Sequence, residues 1–352
     1  MRAETLATTA HLTEDARARS AFRRALLRWF DRHRRPLPWR RDRHPYRVWV
    51  SEIMLQQTRV AAVLEHYARF LQRFPTVEAL ARAPEEAVLA AWSGLGYYRR
   101  ARSLHAAARQ LVQEHQARSK TSSAAQPDNL FPACAAAWQA LPGIGRYTAA
   151  AIASICFSER CAVVDGNVER VLERIFGPGR DPWPIAGALL SPARPGDFNQ
   201  AMMELGALVC LPAKPLCPEC PVSRWCPRSQ ASGAVIPSAA RPRSRRRRQQ
   251  LNYLLVRRGT RILLERRGDR EPLMPGMWEL PAVPDAPAGS AILSLRHSIL
   301  DTDYRVHLFP AAPAASARAT ARPAARWFSR PQALALPLTG LARKILLRVE
   351  SR

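Results

Sequence analysis

Apolar side chains recur at three- and four-residue spacings between residues 20 and 115. AFRRALLRWF (21–30), VWVSEIMLQQTRVAAVLEHYARFLQRF (48–74) and EEAVLAAW (85–92) each gather them on one helical face. A half-buried strand needs strict alternation instead, and none occurs before residue 250. Residues 116–131 (QARSKTSSAAQPDNLF) are polar and read as a loop, after which the helical period resumes over about 133–176 and 197–210. Residues 228–249, ending RPRSRRRRQQ, read as a solvated arginine-rich linker. Beyond them LNYLLVRRGTRILLERR (251–267) carries short β-rich runs around a turn, as a hairpin does. The expected organisation is multidomain: a disordered N-terminal segment (1–19), an all-α domain (20–227), the linker (228–249) and a smaller α/β domain (250–352).

Composition fits this division. A chain of 352 residues is long enough for two cored domains, since single domains usually run to roughly 100–200 residues. No stretch approaches the ~20 uninterrupted apolar residues of a membrane helix, and MRAETLATTAHLTEDARARS has no apolar signal core, so a cytoplasmic protein is expected. Charge adds a function class: 54 Lys and Arg stand against 28 Asp and Glu, a formal net charge of +26. A polyanion partner explains the excess, because cations that neutralise phosphates release counterions. Genome base composition explains it too, as all but three of the cations (Lys120, Lys214, Lys344) are arginines.

The seven cysteines argue against a disulfide framework, being odd in number in a chain read as cytoplasmic. Cys134, Cys156 and Cys161 lie in apolar surroundings and read as small buried hydrophobes. Cys210, Cys217, Cys220 and Cys226 follow the spacing C-x6-C-x2-C-x5-C. Four thiolates so spaced can wrap one compact centre. A 4Fe-4S cubane is favoured over zinc, whose structural sites more often come as two separated C-x2-C pairs. Prolines 212, 215, 218, 221 and 227 keep the loop out of regular secondary structure.

Two further stretches carry local signals. LPGIGRYTAAAIAS (141–154) is a tight turn, Gly143 to Gly145, opening straight into a helix. Its backbone N–H groups and positive helix end suit a nucleic-acid phosphate, and an ordinary helical corner has the same pattern. In VVDGNVERV (163–171), Asp165 precedes Gly-Asn and reads as a helix N-cap. Glu52, in the otherwise apolar VWVSEIMLQQT, makes a second reading possible: burial should raise its pKa. One raised acid and one ionised carboxylate form the pair that glycosidic bond cleavage uses.

With these residues in order, the sequence resembles the adenine DNA glycosylases (MutY type) of the helix-hairpin-helix iron–sulfur superfamily. The resemblance rests on SEIMLQQT, GLGYYRRAR (94–102), LPGIGRYTA, VDGNV, FNQAMMELGALVC (198–210) and the four-cysteine spacing, colinear over roughly residues 20–230. It implies a 4Fe-4S cluster on Cys210, Cys217, Cys220 and Cys226, and a partner that is double-stranded DNA carrying A:8-oxoguanine or A:G mispairs. Glu52 is then the general acid toward adenine N7 and Asp165 the carboxylate beside the anomeric carbon, with Tyr147 and Asn167 orienting Asp165 and the sugar. Gln57 and Tyr97 enter the base stack, and Trp39, Arg40 and Gln200 line the base pocket. For Trp39, core packing in LPWR is the competing reading. Gly143 and Gly145 form the phosphate-gripping hairpin. Bifunctional relatives carry a lysine where this chain has Tyr147, so base release without strand cleavage is expected; a lysine that follows VDGNV in some members is Glu169 here.

The C-terminal part resembles the family's Nudix-like module, best in MPGMWELP within residues 262–281. No RExxEExG helix follows, so no pyrophosphatase activity is expected. A Phe-Ser-His motif of the family is replaced by Ile299, Leu300 and Asp301, leaving His297 and Ser298 as candidates for the oxidised base. A monomer located with the nucleoid is the family expectation. Two other readings remain: an endonuclease III-like glycosylase/lyase, which shares the cysteine spacing and hairpin, and a non-catalytic iron–sulfur DNA-binding protein.

Overall fold

The computed structural model describes residues 12–121, 130–230, 246–299 and 301–349. Helices come first: α1 (Ala16–His33), α2 (Pro45–Leu55), α3 (Val60–Arg73), α4 (Val77–Arg82), α5 (Glu85–Trp92), α6 (Arg99–Thr121), α7 (Ala135–Gln139), α8 (Arg146–Phe157), α9 (Gly166–Phe176), α10 (Pro182–Leu189), α11 (Pro195–Leu208) and α12 (Pro227–Gln230). Strands follow: β1 (Arg247–Leu255), β2 (Arg257–Arg258), β3 (Arg261–Arg266), β4 (Trp278–Glu279), β5 (Ala282–Val283), β6 (Leu293–Ile299) and β7 (Thr302–Pro310). The chain then runs through α13 (Pro313–Thr320), β8 (Ala325–Ser329), α14 (Arg330–Ala335) and α15 (Gly340–Arg348). The helix-then-strand order is the one the periodicity predicts, and β2 and β3 make the predicted hairpin around Gly259, at φ 58°.

The chain folds into two compact units, residues 1–60 with 106–241 and residues 61–105 with 242–352. This differs from the colinear division read from the sequence, because side chains tie the helices of residues 61–105 to the strand-rich part of the second unit. Tyr98 donates to the carbonyl of Leu338 at 2.9 Å, Arg102 to that of Pro275 at 2.6 Å, and the Trp278 indole to Glu86 at 3.3 Å. In that unit β5-β1-β7-β6 form a mixed sheet, β1 and β7 being parallel, and β3 pairs with β2, β4 and β8.

In the first unit α11 packs on α1, α8 and α9, while α2 packs on α8. Phe22, Leu26 and Phe30 of α1 meet Val171, Leu172 and Ile175 of α9 and Phe198, Met202 and Leu205 of α11. Each such side chain, fully buried, contributes about 1.5–3 kcal/mol. Cys210, Cys220, Trp225 and Cys226 pack against the same core, so the cysteine loop is seated on the helices that carry Asp165 and Gln200.

Several boundaries move. Residues 1–11 lie outside the described residues, but 12–19 are ordered: Leu12 is 1% exposed, and the Asp15 side chain caps α1 by accepting the Arg17 N–H at 2.7 Å. Helix α6 continues to Thr121, into the stretch read as a loop, because its polar residues face solvent on a long amphipathic helix. The linker is shorter at both ends, since α12 reaches Gln230 and β1 starts at Arg247; residues 231–245 lie outside the described residues. Cys134 is exposed at the N-cap of α7, not buried, and Cys156 and Cys161 are half-buried. Among the described residues no helix is long and apolar enough to cross a membrane.

Candidate active site

A cavity of about 630 Å³ opens in the first unit, lined by Trp39, Arg40, Glu52, Gln57, Tyr147, Asp165, Asn167, Gln200 and Glu204 among others. Glu52 reaches it from α2, a helix started by Pro45 and apolar along most of its length. It is 6% exposed, and the Tyr147 hydroxyl donates to its Oε2 at 3.0 Å. Burial raises its pKa to about 7; the Tyr147 hydrogen bond opposes the rise, the Asp165 charge adds to it, and Arg40 opposes it. Tyr147 sits in the first turn of α8 and its own pKa is driven well above the usual value by burial and by both carboxylates. The same hydroxyl lies 3.2 Å from the Met203 sulfur.

Asp165 caps α9, as its sequence predicts. Oδ1 accepts the N–H groups of Asn167 at 3.0 Å and Val168 at 2.8 Å, and Oδ2 accepts the Asn167 amide at 3.0 Å. Cap and cavity wall are therefore one residue, and the two readings of Asp165 do not compete. Asn167 is held in turn by Arg170, which donates to Asn167 Oδ1 at 2.9 Å, to the Gly206 carbonyl at 2.7 Å and to the Cys210 carbonyl at 2.9 Å. Gly206 is required by close approach: a Cβ there would lie 2.5 Å from Asn167 Cβ.

Glu204 is a site residue that the sequence does not single out. It is 1% exposed and takes the Arg35 backbone N–H at 2.9 Å, the Arg35 guanidinium at 2.9 and 2.8 Å, and Arg40 at 3.0 Å. Burial alone would raise its pKa, but the hydrogen bonds and charges of Arg35 and Arg40 outweigh burial and bring it to about 2. The cavity thus holds one carboxyl poised near neutrality and one held ionised. Glu204 follows Gln200 by four residues on α11, and that one-turn spacing is the available signal.

Other predicted residues are distributed as follows. Trp39 is buried and also lines the cavity, so core packing and pocket wall coincide. Gln57, at the cavity, and Tyr97, in the second unit and 46% exposed, both hold left-handed backbone, at φ 56° and 49°. Non-glycine residues enter that region at a cost, and such strain clusters at functional sites. Gly143, at φ 75°, and Gly145 are exposed, and no side chain caps α8. His297 and Ser298 do not form one site: neighbours on β6, they face opposite sides of the sheet. His297 is half-buried, with its pKa lowered by burial and by Lys344, whereas Ser298 is exposed and donates to Asp303 at 2.6 Å. Of Ile299, Leu300 and Asp301, Leu300 lies outside the described residues.

No disulfide joins the cysteines. Among the described residues no group of three or more His, Cys, Asp or Glu is set to hold a metal ion. Cys210, Cys217 and Cys226 nevertheless act on Cys220: burial pushes its thiol up to about 12, a backbone hydrogen bond at Val222 opposes the rise, and the other three cysteines add to it. Arg174 donates to Cys210 Sγ at 3.1 Å and to the carbonyls of Leu211 and Pro212 at 2.8 Å each. Four cysteines free of disulfides are a donor set that fits an iron–sulfur cluster in chemistry and number.

Residues 50–186 match the family described as HhH-GPD superfamily base excision DNA repair protein. The chain is 48% identical over 241 residues to the adenine DNA glycosylase of Rattus norvegicus, covering 63% of this chain and 44% of that protein. It is 48% identical over 236 residues to that of Homo sapiens, covering 61% and 41%, and 41% identical over 239 residues to that of Arabidopsis thaliana, covering 58% and 36%. It therefore spans less than half the length of these relatives. Among solved structures it is similar to a thermostable thymine-DNA glycosylase, with a TM-score of 0.53 and 28% identity over 60% of this chain and 96% of that one. Residues 50–186 are thus similar to the HhH-GPD superfamily of base excision DNA repair proteins, and the curated relatives that the chain resembles are adenine DNA glycosylases.

Proposed function

We propose that the chain is a DNA repair hydrolase that removes adenine mispaired with 8-oxoguanine or guanine, cleaving the N-glycosidic bond after the nucleotide flips out of the duplex. The observation that carries the reading is Glu52, a buried carboxyl balanced at about 7 in a cavity shared with Asp165. Adenine is a poor leaving group until its ring is protonated. Glu52 gives a proton to N7, directly or through water, and the electrons of the N9–C1′ bond pass to the base. The sugar is left as an oxocarbenium ion beside the Asp165 carboxylate, which stabilises it or bonds to it transiently. Water adds at C1′ and releases a proton. Tyr147 orients Glu52 and Asn167 orients Asp165, so both acids are fixed before substrate enters.

The cavity volume falls within the range of about 300–1,000 Å³ usual for ligand sites. Trp39 offers an apolar wall and Gln200 an amide that can meet both donor and acceptor edges of adenine. Gln57, on strained backbone at the cavity, is the residue to fill the gap a flipped base leaves, and Tyr97, strained and exposed on the second unit, is a ring on which a base can stack. The Gly143–Gly145 turn and uncapped α8 suit a DNA phosphate. Tyr147 stands where a lyase needs a lysine. Lys214 is exposed in the cysteine loop, and the Lys344 ammonium is engaged with the Arg296 carbonyl at 3.1 Å. These placements favour hydrolysis without strand cleavage. The second unit, with MPGMWELP in the segment from β3 to β4, is read as Nudix-like and as the part that checks for 8-oxoguanine.

Cys210, Cys217, Cys220 and Cys226 would hold a 4Fe-4S cluster, which supplies a cross-link fixing the loop when bound. Arg224, lying 3.9 Å from the Trp225 ring, with Lys214 and Arg228, gives that loop the charge to meet a DNA backbone. A monomer working with DNA in the cytoplasm completes the proposal. The test is adenine release from duplexes carrying A:8-oxoguanine, A:G, A:C or thymine glycol, read before and after hot alkali. Strand breaks only after alkali, on the first two duplexes, are expected. Breaks without alkali, or no adenine released, would overturn the reading.

A further inference from the structure

The register of the mixed sheet gathers polar side chains on one face. Across β6 and β7, Ser294 opposes His307, Arg296 opposes Arg305, and Ser298 opposes Asp303. Across β7 and β1, Asp303 pairs with Arg248, Arg305 with Gln250, and His307 with Asn252. Side chains alternate along a strand, so these nine share one face. The intervening residues, among them Tyr253, Leu295, Val306 and Leu308, form the core on the other side.

Two of the three rows are satisfied internally. Ser294 and His307 lie 2.8 Å apart; Asp303 receives Ser298 at 2.6 Å and Arg246 at 2.9 Å. The middle row is not. Arg296 and Arg305 face each other directly, both exposed, and among the described residues neither makes an ion pair. Like charges directly opposite across an antiparallel pair destabilise the sheet. Arg248 is exposed one row away. An anion set between the two guanidiniums would turn the repulsion into two charge-assisted contacts.

We propose that this face, centred on the opposed Arg296 and Arg305 with Arg248 beside them, docks the phosphate backbone of duplex DNA. The choice of DNA as the polyanion rests on the glycosylase reading above; the anion site itself rests on the sheet register. The arginines carry affinity and no chemistry, as backbone contacts position a protein without reading bases.

The experiment compares the full chain with R296T/R305T, threonine being favourable in strands, and with R257T/R258T, which removes two exposed arginines from β2 of the same unit. Affinity for an A:8-oxoguanine duplex is measured from low to moderate salt, with single-turnover adenine release at saturating protein and a melting curve without DNA. Two lost phosphate contacts predict that, between about 50 and about 200 mM salt, wild type loses roughly tenfold more affinity than R296T/R305T does. The control should keep the wild-type slope, the release rate should be unchanged, and R296T/R305T should melt no lower than wild type. An unchanged slope in R296T/R305T, an equal loss in R257T/R258T, or a lowered melting point would overturn the proposal. Adenine release by wild type reports on the glycosylase reading separately: release with an unchanged slope sinks this surface alone, and a changed slope without release sinks the activity alone.

Discussion

Replacing Glu52 with glutamine should abolish base release and yet make the protein more stable at alkaline pH. Burial raises the Glu52 pKa from 4.5 to about 7, so the native state binds this proton more tightly than the unfolded chain does. Stability from this group is complete below about 4.5 and is lost as pH rises through about 7. At 1.36 kcal/mol per unit the full penalty is roughly 3 kcal/mol, needing no allowance for solvent because the side chain is 6% exposed. Glutamine keeps the shape and a partner for the Tyr147 hydroxyl without the charge. Urea melts at about pH 8.5 should therefore show E52Q more stable by about 3 kcal/mol, and at about pH 5 the advantage should shrink to roughly 1 kcal/mol. Equal or lower stability of E52Q at the higher pH, or an advantage that does not shrink on acidification, would refute the account of Glu52 as a strained, proton-holding acid.

Three further outcomes follow from the same geometry. G206A should cost about 1–3 kcal/mol and slow base release, because the new methyl overlaps Asn167 and pushes on the residue that orients Asp165; a variant with wild-type melting and rate would show the helices have room. R170A should lose about 2 kcal/mol, since it strips partners from Asn167 and from three carbonyls, and its single-turnover rate should fall more than its DNA affinity; the reverse pattern would assign Arg170 to DNA contact instead. Purified wild type should contain about four irons per chain with sulfide, and C217S should lose the iron, melt lower and bind DNA more weakly. Normal folding and binding by iron-free C217S would dismiss the cluster as the loop's brace.

The parts of the site that are legible in the sequence are those written locally. An aspartate before Gly-Asn reads as a cap, and it is one; a glutamate in an apolar helix reads as a raised acid, and burial does raise it. Asp15 before Ala16 is a cap of the same kind, inside the segment the sequence reading gives as disordered. What cannot be read depends on residues far apart in the chain. Arg35 and Arg40 meet Glu204 across more than 160 positions, and Arg170 joins Asn167 to the Cys210 carbonyl across a turn whose path no local pattern specifies. The grouping of residues 61–105 with the C-terminal unit hangs on bonds such as Tyr98 to Leu338, which no periodicity announces. His297 and Ser298 are a different case. Strand alternation alone separates them, and only the motif resemblance holds them together.

The central claim is that Glu52 and Asp165 act together on adenine, and single-turnover release from an A:8-oxoguanine duplex tests it most directly. Wild type should release adenine at a rate that falls as pH rises through about 7, the value at which Glu52 loses its proton. E52Q and D165N should each bind the duplex and release no adenine. Full activity in either variant, or a wild-type rate that does not decline across that range, would contradict the account.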